Sequence, residues 1–187
     1  MTHPEVRCEA LQAVPRVVAC IGLGGNLGDV QARMVAALGA VHRWPGTRVL
    51  SVSSLYRSAP VDATGPDYLN AVAVTETALG PHELLRSLLA LELDHGRERP
   101  YHHAPRTLDL DLLCHGDAEL ATATLTLPHP RMAQRAFVVL PLEEALATLG
   151  GRGTGILAAL PDAATRAELA QAQGITRECG FPMTFEL

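Results

Sequence analysis

Two periodicities divide the chain. Residues 17–21 are a short apolar run, as expected of a buried strand. After a glycine-rich turn at 22–28, Val30, Met34, Ala37, Leu38 and Val41 recur at helical spacing until Trp44-Pro45-Gly46 stops them. Residues 47–56, rich in β-branched and aromatic side chains, predict a strand. Residues 58–66 carry two prolines and a glycine and predict a loop, and 68–77 predict a second strand, antiparallel to the one before. Pro81 opens a helix faced by Leu84, Leu85, Leu88 and Leu91, with Gly96 as its expected C-terminal cap. Residues 97–106 are polar and irregular. From Thr107 to Cys114 alternation is strict: Leu108, Leu110 and Leu112 point one way, and Thr107, Asp109 and Asp111 the other. Pro128-His129-Pro130 predicts a loop before a helix near 131–147, which Pro141 is expected to interrupt or kink. A short alanine-rich helix near 162–173 and an irregular tail follow.

The order is β-α-β-β-α-β with further helices behind it. That predicts an α+β fold of the ferredoxin-like type: a four-stranded antiparallel sheet with helices on one face, plus extra C-terminal helices. Residues 1–16 have no periodicity and are expected to be a flexible extension; 17–187 are expected to be a single domain, with its motif-bearing core at 17–147.

Composition narrows the chemistry. At 187 residues, 48% hydrophobic and 19% charged, the chain can bury one sizeable core and is not a disordered sequence. A net charge of −5 argues against a dedicated nucleic-acid binder. All 15 basic residues are arginine, which removes a P-loop lysine, a Schiff-base lysine and a Ser–Lys dyad together. Any phosphate must then be held by Arg, His, backbone N–H groups or a metal, and the planar guanidinium fork suits that task. Cys8, Cys20, Cys114 and Cys179 lack CxxC spacing, which argues against a zinc site or a thioredoxin-like motif. No apolar run reaches about 18 residues and no secretory h-region opens the chain, so a cytoplasmic protein is expected.

The sharpest chemical feature is the pair Asp109 and Asp111. At i and i+2 of a strand, two carboxylates share a face with Cα atoms about 7 Å apart. Carboxylate oxygens are preferred Mg²⁺ ligands, and two such groups can hold ions that clamp a polyphosphate. An ordinary solvent-facing strand can carry the same pair, but two like charges this close repel unless a cation joins them. Arg97, Arg99, His102, His103 and Arg106 lie just before the pair; His129, Arg131 and Arg135 lie after it. The glycine-rich turn lacks dinucleotide spacing, and a tight turn with Asn26 or Asp29 capping the helix is its simpler reading. Aromatics are scarce at 4%, so Tyr68 and Phe137 can be core residues or can sandwich a planar heterocycle whose edge Asn70 reads.

Six stretches carry a family resemblance: 21–29 (Ile-Gly-Leu-Gly-Gly-Asn-Leu-Gly-Asp), 53–60 (Ser-Ser-Leu-Tyr-Arg-Ser-Ala-Pro), 66–71 (Pro-Asp-Tyr-Leu-Asn-Ala), 92–99 (Glu-Leu-Asp-His-Gly-Arg-Glu-Arg), 104–111 (Ala-Pro-Arg-Thr-Leu-Asp-Leu-Asp) and 127–132 (Leu-Pro-His-Pro-Arg-Met). With Arg135, Phe137 and Pro141-Leu142 behind them, they resemble the 6-hydroxymethyl-7,8-dihydropterin pyrophosphokinases of folate biosynthesis. The resemblance implies transfer of pyrophosphate from the co-substrate ATP to the pterin hydroxymethyl group, releasing AMP, with two Mg²⁺ ions. It implies Asp109 and Asp111 as metal ligands and, with Arg97 and Arg106, as the catalytic set. It implies Glu92, Arg97, Arg99, Arg106, Leu112, Thr126, His129 and Arg135 at the nucleotide, Arg99 from a loop that closes over ATP. Around the pterin it implies Ser58, Ala59, Pro60, Val61, Tyr68, Asn70, Asp109 and Phe137. His102-His103 stand where many members carry a loop aromatic. The expected partners are the two small-molecule substrates, with neither nucleic acid nor membrane, and the protein is expected to be a monomer.

Two other readings stay open on the residues. A palm-type nucleotidyl transferase or cyclase also sets two Asp on such a sheet, but leaves Tyr68, Asn70 and Phe137 without a purpose. A ligand-binding regulatory module of the same fold has no need of the Asp pair or of the arginines.

Overall fold

The computed structural model describes residues 15–60, 65–96 and 106–183. In chain order the elements are β1 (Val17–Gly25), α1 (Val30–His42), β2 (Thr47–Val52), β3 (Tyr56–Ser58), β4 (Tyr68–Thr77), α2 (Pro81–Asp94) and β5 (Asp109–His115). There follow a small hairpin, β6 (Leu120–Ala121) with β7 (Thr126–Leu127), a 3₁₀ turn (Met132–Gln134), α3 (Ala136–Ala147), α4 (Thr154–Ala158), α5 (Ala163–Ala172) and β8 (Thr176–Arg177).

The main sheet runs β5-β1-β4-β3-β8, with β2 also paired to β4, and every pairing is antiparallel. The predicted strand 47–56 is two strands. Between Val52, opposite Ala73, and Tyr56, opposite Asn70, it has one residue more than its partner. Ser53 bridges the break: its N–H donates to the Val72 carbonyl at 2.9 Å, and its Oγ accepts from the Val72 N–H at 3.0 Å.

Alternation along the strands sorts the core into two layers. Ala19, Ile21 and Leu23 of β1, Ala71 and Ala73 of β4, and Leu110 and Leu112 of β5 pack against Met34 and Leu38 of α1 and Leu84 and Leu88 of α2. Cys20, Val72, Val74, Leu113 and Cys114 face the other way, onto Val139, Leu142 and Ala145 of α3; the strict alternation expected to Cys114 ends at Leu112, because the register against β1 shifts there and leaves Leu113 as an extra residue. Helices on one face only, as expected from sequence, is therefore corrected: α3 covers much of the second face. Its mean composition is strongly apolar, and it continues through Pro141 instead of breaking there. Proline has no N–H, so the Phe137 carbonyl loses its bond from four residues on; tertiary packing of Val139, Leu142 and Ala145 outweighs that loss.

Helix ends follow the expected chemistry. Asp29 caps α1 by accepting from the Ala32 N–H at 3.0 Å, and Gly96, at φ +77°, follows α2. The predicted helix near 131–147 resolves into the 3₁₀ turn and α3, separated at Arg135. Strands β6, β7 and β8 and helix α4 are short elements that the sequence pattern does not announce. Among the described residues no helix is long and apolar enough to cross a membrane.

Candidate active site

The sheet's second face, beyond the end of α3, carries the polar residues. Register sets them in rows. Asp109 lies opposite Gly24, Gly24 opposite Asn70, and Asn70 opposite Tyr56. One row along, Asp111 lies opposite Gly22. Gly24 leaves the floor between Asp109 and Asn70 open. A Cβ there would sit 3.5 Å from Asn70 Oδ1 and 4.0 Å from Asp109 Cβ. With strands about 4.8 Å apart, the backbones of Asp109 and Asn70 lie about 10 Å from each other, and Gly24 puts no side chain in the slot between them.

Each side of the slot is held by hydrogen bonds. Asn70 is buried, and its Nδ2 donates to the Tyr56 carbonyl at 3.2 Å and to Ser58 Oγ at 3.0 Å. Tyr68, opposite Ser58, is half-buried on the same face. Ala59 is exposed and Pro60 half-buried at its rim. On the other side Arg106 Nη1 donates to Asp109 Oδ2 at 2.5 Å. Asn26 fixes the segment entering β5: its Oδ1 accepts from the Arg106 N–H at 2.8 Å, while the Asn26 and Leu27 N–H groups donate to the Arg106 carbonyl. Its Nδ2 donates to the Pro66 carbonyl at 3.2 Å, tying in the chain that leads to Tyr68. The glycine-rich turn is thus a clamp on the site's two edges, while Asp29 does the capping.

Gly25 makes that clamp possible. A Cβ would lie 2.9 Å from the Thr107 carbonyl oxygen and 2.9 Å from Val30 Cγ1, closer than side chains tolerate. Gly25→Ala is expected to cost about 1–3 kcal/mol of stability. Because it pushes on the start of β5, it should also lower turnover at least tenfold. Thermal unfolding and steady-state rates check both; a variant with native melting and rate would show that the backbone there yields freely.

The charged groups form one electrostatic neighbourhood. Burial, and then the adjacent Asp109 charge, push the Asp111 carboxyl above the ordinary range, against the pull of His129, Arg135 and Arg106. Burial holds the His129 imidazole below its usual value; Asp111 opposes that shift, and Arg135 and Arg131 reinforce it. Its Nδ1 accepts from the Arg131 N–H at 3.3 Å, which leaves the neutral ring's proton on Nε2, free to be offered as a donor. Burial and then Arg131 lower Arg135 as well. The Arg135 guanidinium lies 5.5 Å from the Phe137 ring centroid, a cation–π distance.

Arg106, Asp109, Asp111, His129 and Arg135 are therefore brought together, and Ser58, Tyr68 and Asn70 line the opposite side of the same face. Thr126 is exposed on β7, next to Leu127, whose cis bond to Pro128 leads into His129. Two sequence expectations shift. Glu92 is 1% exposed, and its Oε1 accepts from the Leu110 N–H at 2.6 Å, so it holds β5 from below. Leu112 is 3% exposed in the helix-side core, so its side chain offers a nucleotide almost no surface. Arg97, Arg99, His102, His103 and Val61 lie outside the described residues. Sequence reasoning gave Gly24 no particular role, although the alternation of β5 against a glycine-bearing strand could have marked it.

Among the described residues no three His, Cys, Asp or Glu side chains converge as a metal cage. Mg²⁺ does not need one: it usually takes one or two carboxylates and completes its shell with waters and substrate phosphates. Two carboxylates on one face, one of them destabilised in its charged form, fit such an ion. Paired carboxylates beside guanidinium groups and an imidazole form the kind of site that handles phosphoryl groups.

Comparison with known proteins agrees. The family model for 7,8-dihydro-6-hydroxymethylpterin-pyrophosphokinase (HPPK) matches residues 20–147, and the chain belongs to that family. It is 44% identical over 126 residues to the 2-amino-4-hydroxy-6-hydroxymethyldihydropteridine pyrophosphokinase of Synechocystis, covering 67% of this chain and 65% of that one. The enzyme of the same name from Pseudomonas aeruginosa is 44% identical over 125 residues, covering 66% of this chain and 77% of the other. A crystal structure of Plasmodium falciparum HPPK-DHPS superposes with a TM-score of 0.52 at 14% identity, over 70% of this chain and 38% of that one, a likeness of fold.

Proposed function

We propose that the protein transfers pyrophosphate from ATP to 6-hydroxymethyl-7,8-dihydropterin. The pterin hydroxyl oxygen would bond to the β-phosphorus, the bond from that phosphorus to the α,β-bridging oxygen would break, AMP would leave, and the hydroxyl proton would be lost. The observation that carries this reading is the slot itself, with Asp109 and Asp111 on one side of Gly24 and Asn70 on the other. In this reading the polyphosphate lies on the carboxylate side and the planar heterocycle on the Asn70 side. The rival nucleotidyl transferase gives Asn70 nothing to read, and the regulatory module gives the carboxylates nothing to hold.

The side chains divide the work. Asn70, oriented by Ser58 and the Tyr56 carbonyl, presents its amide to the pterin edge. Tyr68 and Phe137 offer aromatic faces to the ring. Arg106, Arg135 and His129 Nε2 donate to phosphate oxygens, with Arg97 and Arg99 as the further cations. Asp109 and Asp111 would hold magnesium, two ions in this reading, which when bound draws charge from the phosphates and acidifies the acceptor hydroxyl. Glu92 acts from behind, fixing Leu110 between the two carboxylates. Bringing hydroxyl and phosphorus together in one orientation is the larger part of such catalysis.

Taking β2 and β3 as one interrupted strand, we read β5-β1-β4-β2/β3 as the ferredoxin-like order, a reading the antiparallel pairings support. We take residues 17–187 as one domain acting as a monomer in the cytoplasm. The test is ATP consumption with Mg²⁺, with and without the hydroxymethyl pterin. Consumption that depends on the pterin is expected; a folded protein that shows none would overturn the reading.

A further inference from the structure

The family match ends at residue 147, yet the chain continues into α5 and β8. Helix α5 has no fully buried residue; Leu169 and Ala170 are half-buried. Polar contacts hold it against α3. At one end Arg166 Nη2 pairs with Glu143 Oε1 at 2.7 Å, the Arg166 side chain being 18% exposed. At the other end stands Gln173, the residue capping the C-terminus of α5. Its Oε1 accepts from the Ala136 N–H at 2.9 Å, and its Nε2 donates to the Gln134 carbonyl at 2.8 Å.

One side-chain amide thus grips the backbone on both sides of Arg135. Ala136 is the first residue of α3, whose N-terminus has no side-chain cap of its own, so Gln173 also satisfies one of that helix's unpaired N–H groups. Arg135 itself is extended there, at φ −114° and ψ 109°, between the 3₁₀ turn and α3. Its backbone carbonyl accepts from the Val138 and Val139 N–H groups and its own N–H makes only a long bond of 3.4 Å to the Met132 carbonyl, so the two Gln173 bonds complete the hold on its flanking peptide groups. Phe137 lies one residue beyond the grip.

We propose that Gln173 is a positioning residue for the transfer reaction: it aims Arg135 at the ATP phosphates and fixes the start of the helix that carries Phe137. The inference rests on the roles given above to those two residues. The segment after 147 then serves the site without touching substrate.

The test compares Gln173→Leu, Gln173→Glu, Arg135→Ala and the double variant Gln173→Leu/Arg135→Ala in full-length protein. Each is assayed for kcat, for KM of both substrates and for melting temperature. Gln173→Leu keeps the shape and removes both hydrogen bonds; kcat/KM for ATP should fall about tenfold, a modest part of what a misplaced binding group can cost. Gln173→Glu keeps the acceptor for the Ala136 N–H but sets a carboxylate oxygen against the Gln134 carbonyl, so it too should fall below wild type. In the Arg135→Ala background the Gln173→Leu change should cost less than about twofold in kcat/KM for ATP, because the group it aims is gone, while its effect on KM for the pterin, exerted through Phe137, should persist. Full additivity of the two changes in kcat/KM for ATP, or a lowered melting temperature with unchanged KM and kcat in both Gln173 variants, would overturn the proposal. An unaltered KM for ATP in Arg135→Ala would overturn the phosphate role of Arg135 and this inference with it. A raised KM in Arg135→Ala alone would overturn only the inference.

Discussion

Replacing Asp109 or Asp111 by alanine is expected to lower turnover by about 10²–10³-fold or more, the scale seen when one preorganised electrostatic group is removed from a reacting centre. The fold should survive. Asp111 is penalised in its charged form by burial and by Asp109, so ionising it costs stability in the metal-free protein. The sign follows from the upward shift: the penalty is complete above the raised value, shrinks as pH falls through it and is gone below the ordinary carboxylate range. Asp111→Asn removes the charge and keeps the shape, and should melt no lower than wild type without magnesium while being nearly inactive with it. Added Mg²⁺ should raise the melting temperature of the wild type in the presence of a non-hydrolysable ATP analogue, and should do so less in Asp111→Asn. Near-normal turnover in both alanine variants would end the assignment of these carboxylates as the metal ligands.

The second large effect concerns stability and lies on α3. Glu144 Oε1 accepts from Ser54 Oγ and Arg177 Nη2, each at 2.7 Å; its Oε2 accepts from Tyr56 Oη at 2.8 Å and from the Ser54 N–H at 3.2 Å. Ser54 and Tyr56 are buried, so Glu144→Ala leaves donors in the interior without an acceptor. A cost of about 2–4 kcal/mol is expected. Burial alone would raise the Glu144 carboxyl, but hydrogen bonds from Arg177, Ser54 and Tyr56 outweigh it and hold the group below its usual range. Its contribution is therefore complete above the ordinary glutamate range, near about 4.3, and is lost as pH falls through the lower folded value. Melting curves should show the widest gap between wild type and Glu144→Ala at neutral pH and a narrowing gap in acid. A gap that stays constant into acid would contradict the assignment. Tyr56 shares a row with Asn70 and accepts from it, so the variant should also weaken pterin binding.

Much of the active face is legible in the sequence because it follows from a period of two. Leu108, Leu110 and Leu112 are 0%, 2% and 3% exposed, as alternation requires, and that alone turns Asp109 and Asp111 to the other face. The capping of α1 by Asp29 and the stop at Gly96 are local chemistry and are equally readable. What was not readable depends on partners far away along the chain. Asn26 looks like a capping residue, and only the fold brings Arg106 and Pro66 to its amide. The interruption at Ser53 is hidden because neither Gly nor Pro marks it; it arises from register against β4. Pro141 reads as a break because local propensity opposes it, whereas packing on the sheet decides otherwise. The resemblance sets Glu92 at the nucleotide, yet the helix turns its side chain under β5. Gln173 carries no signal at all, since its partners are backbone groups of another helix.

The central claim is that two phosphoryl groups move as a unit, and ATP labelled at the β-phosphorus tests it most directly. Incubated with Mg²⁺ and 6-hydroxymethyl-7,8-dihydropterin, the protein should place the label in the pterin product, and unlabelled AMP should appear in equal amount. Label retained in ADP would mean transfer of the γ-phosphoryl group alone. Label in free pyrophosphate, formed in step with a nucleotidylated pterin, would mean attack at the α-phosphorus. Either result would contradict the account.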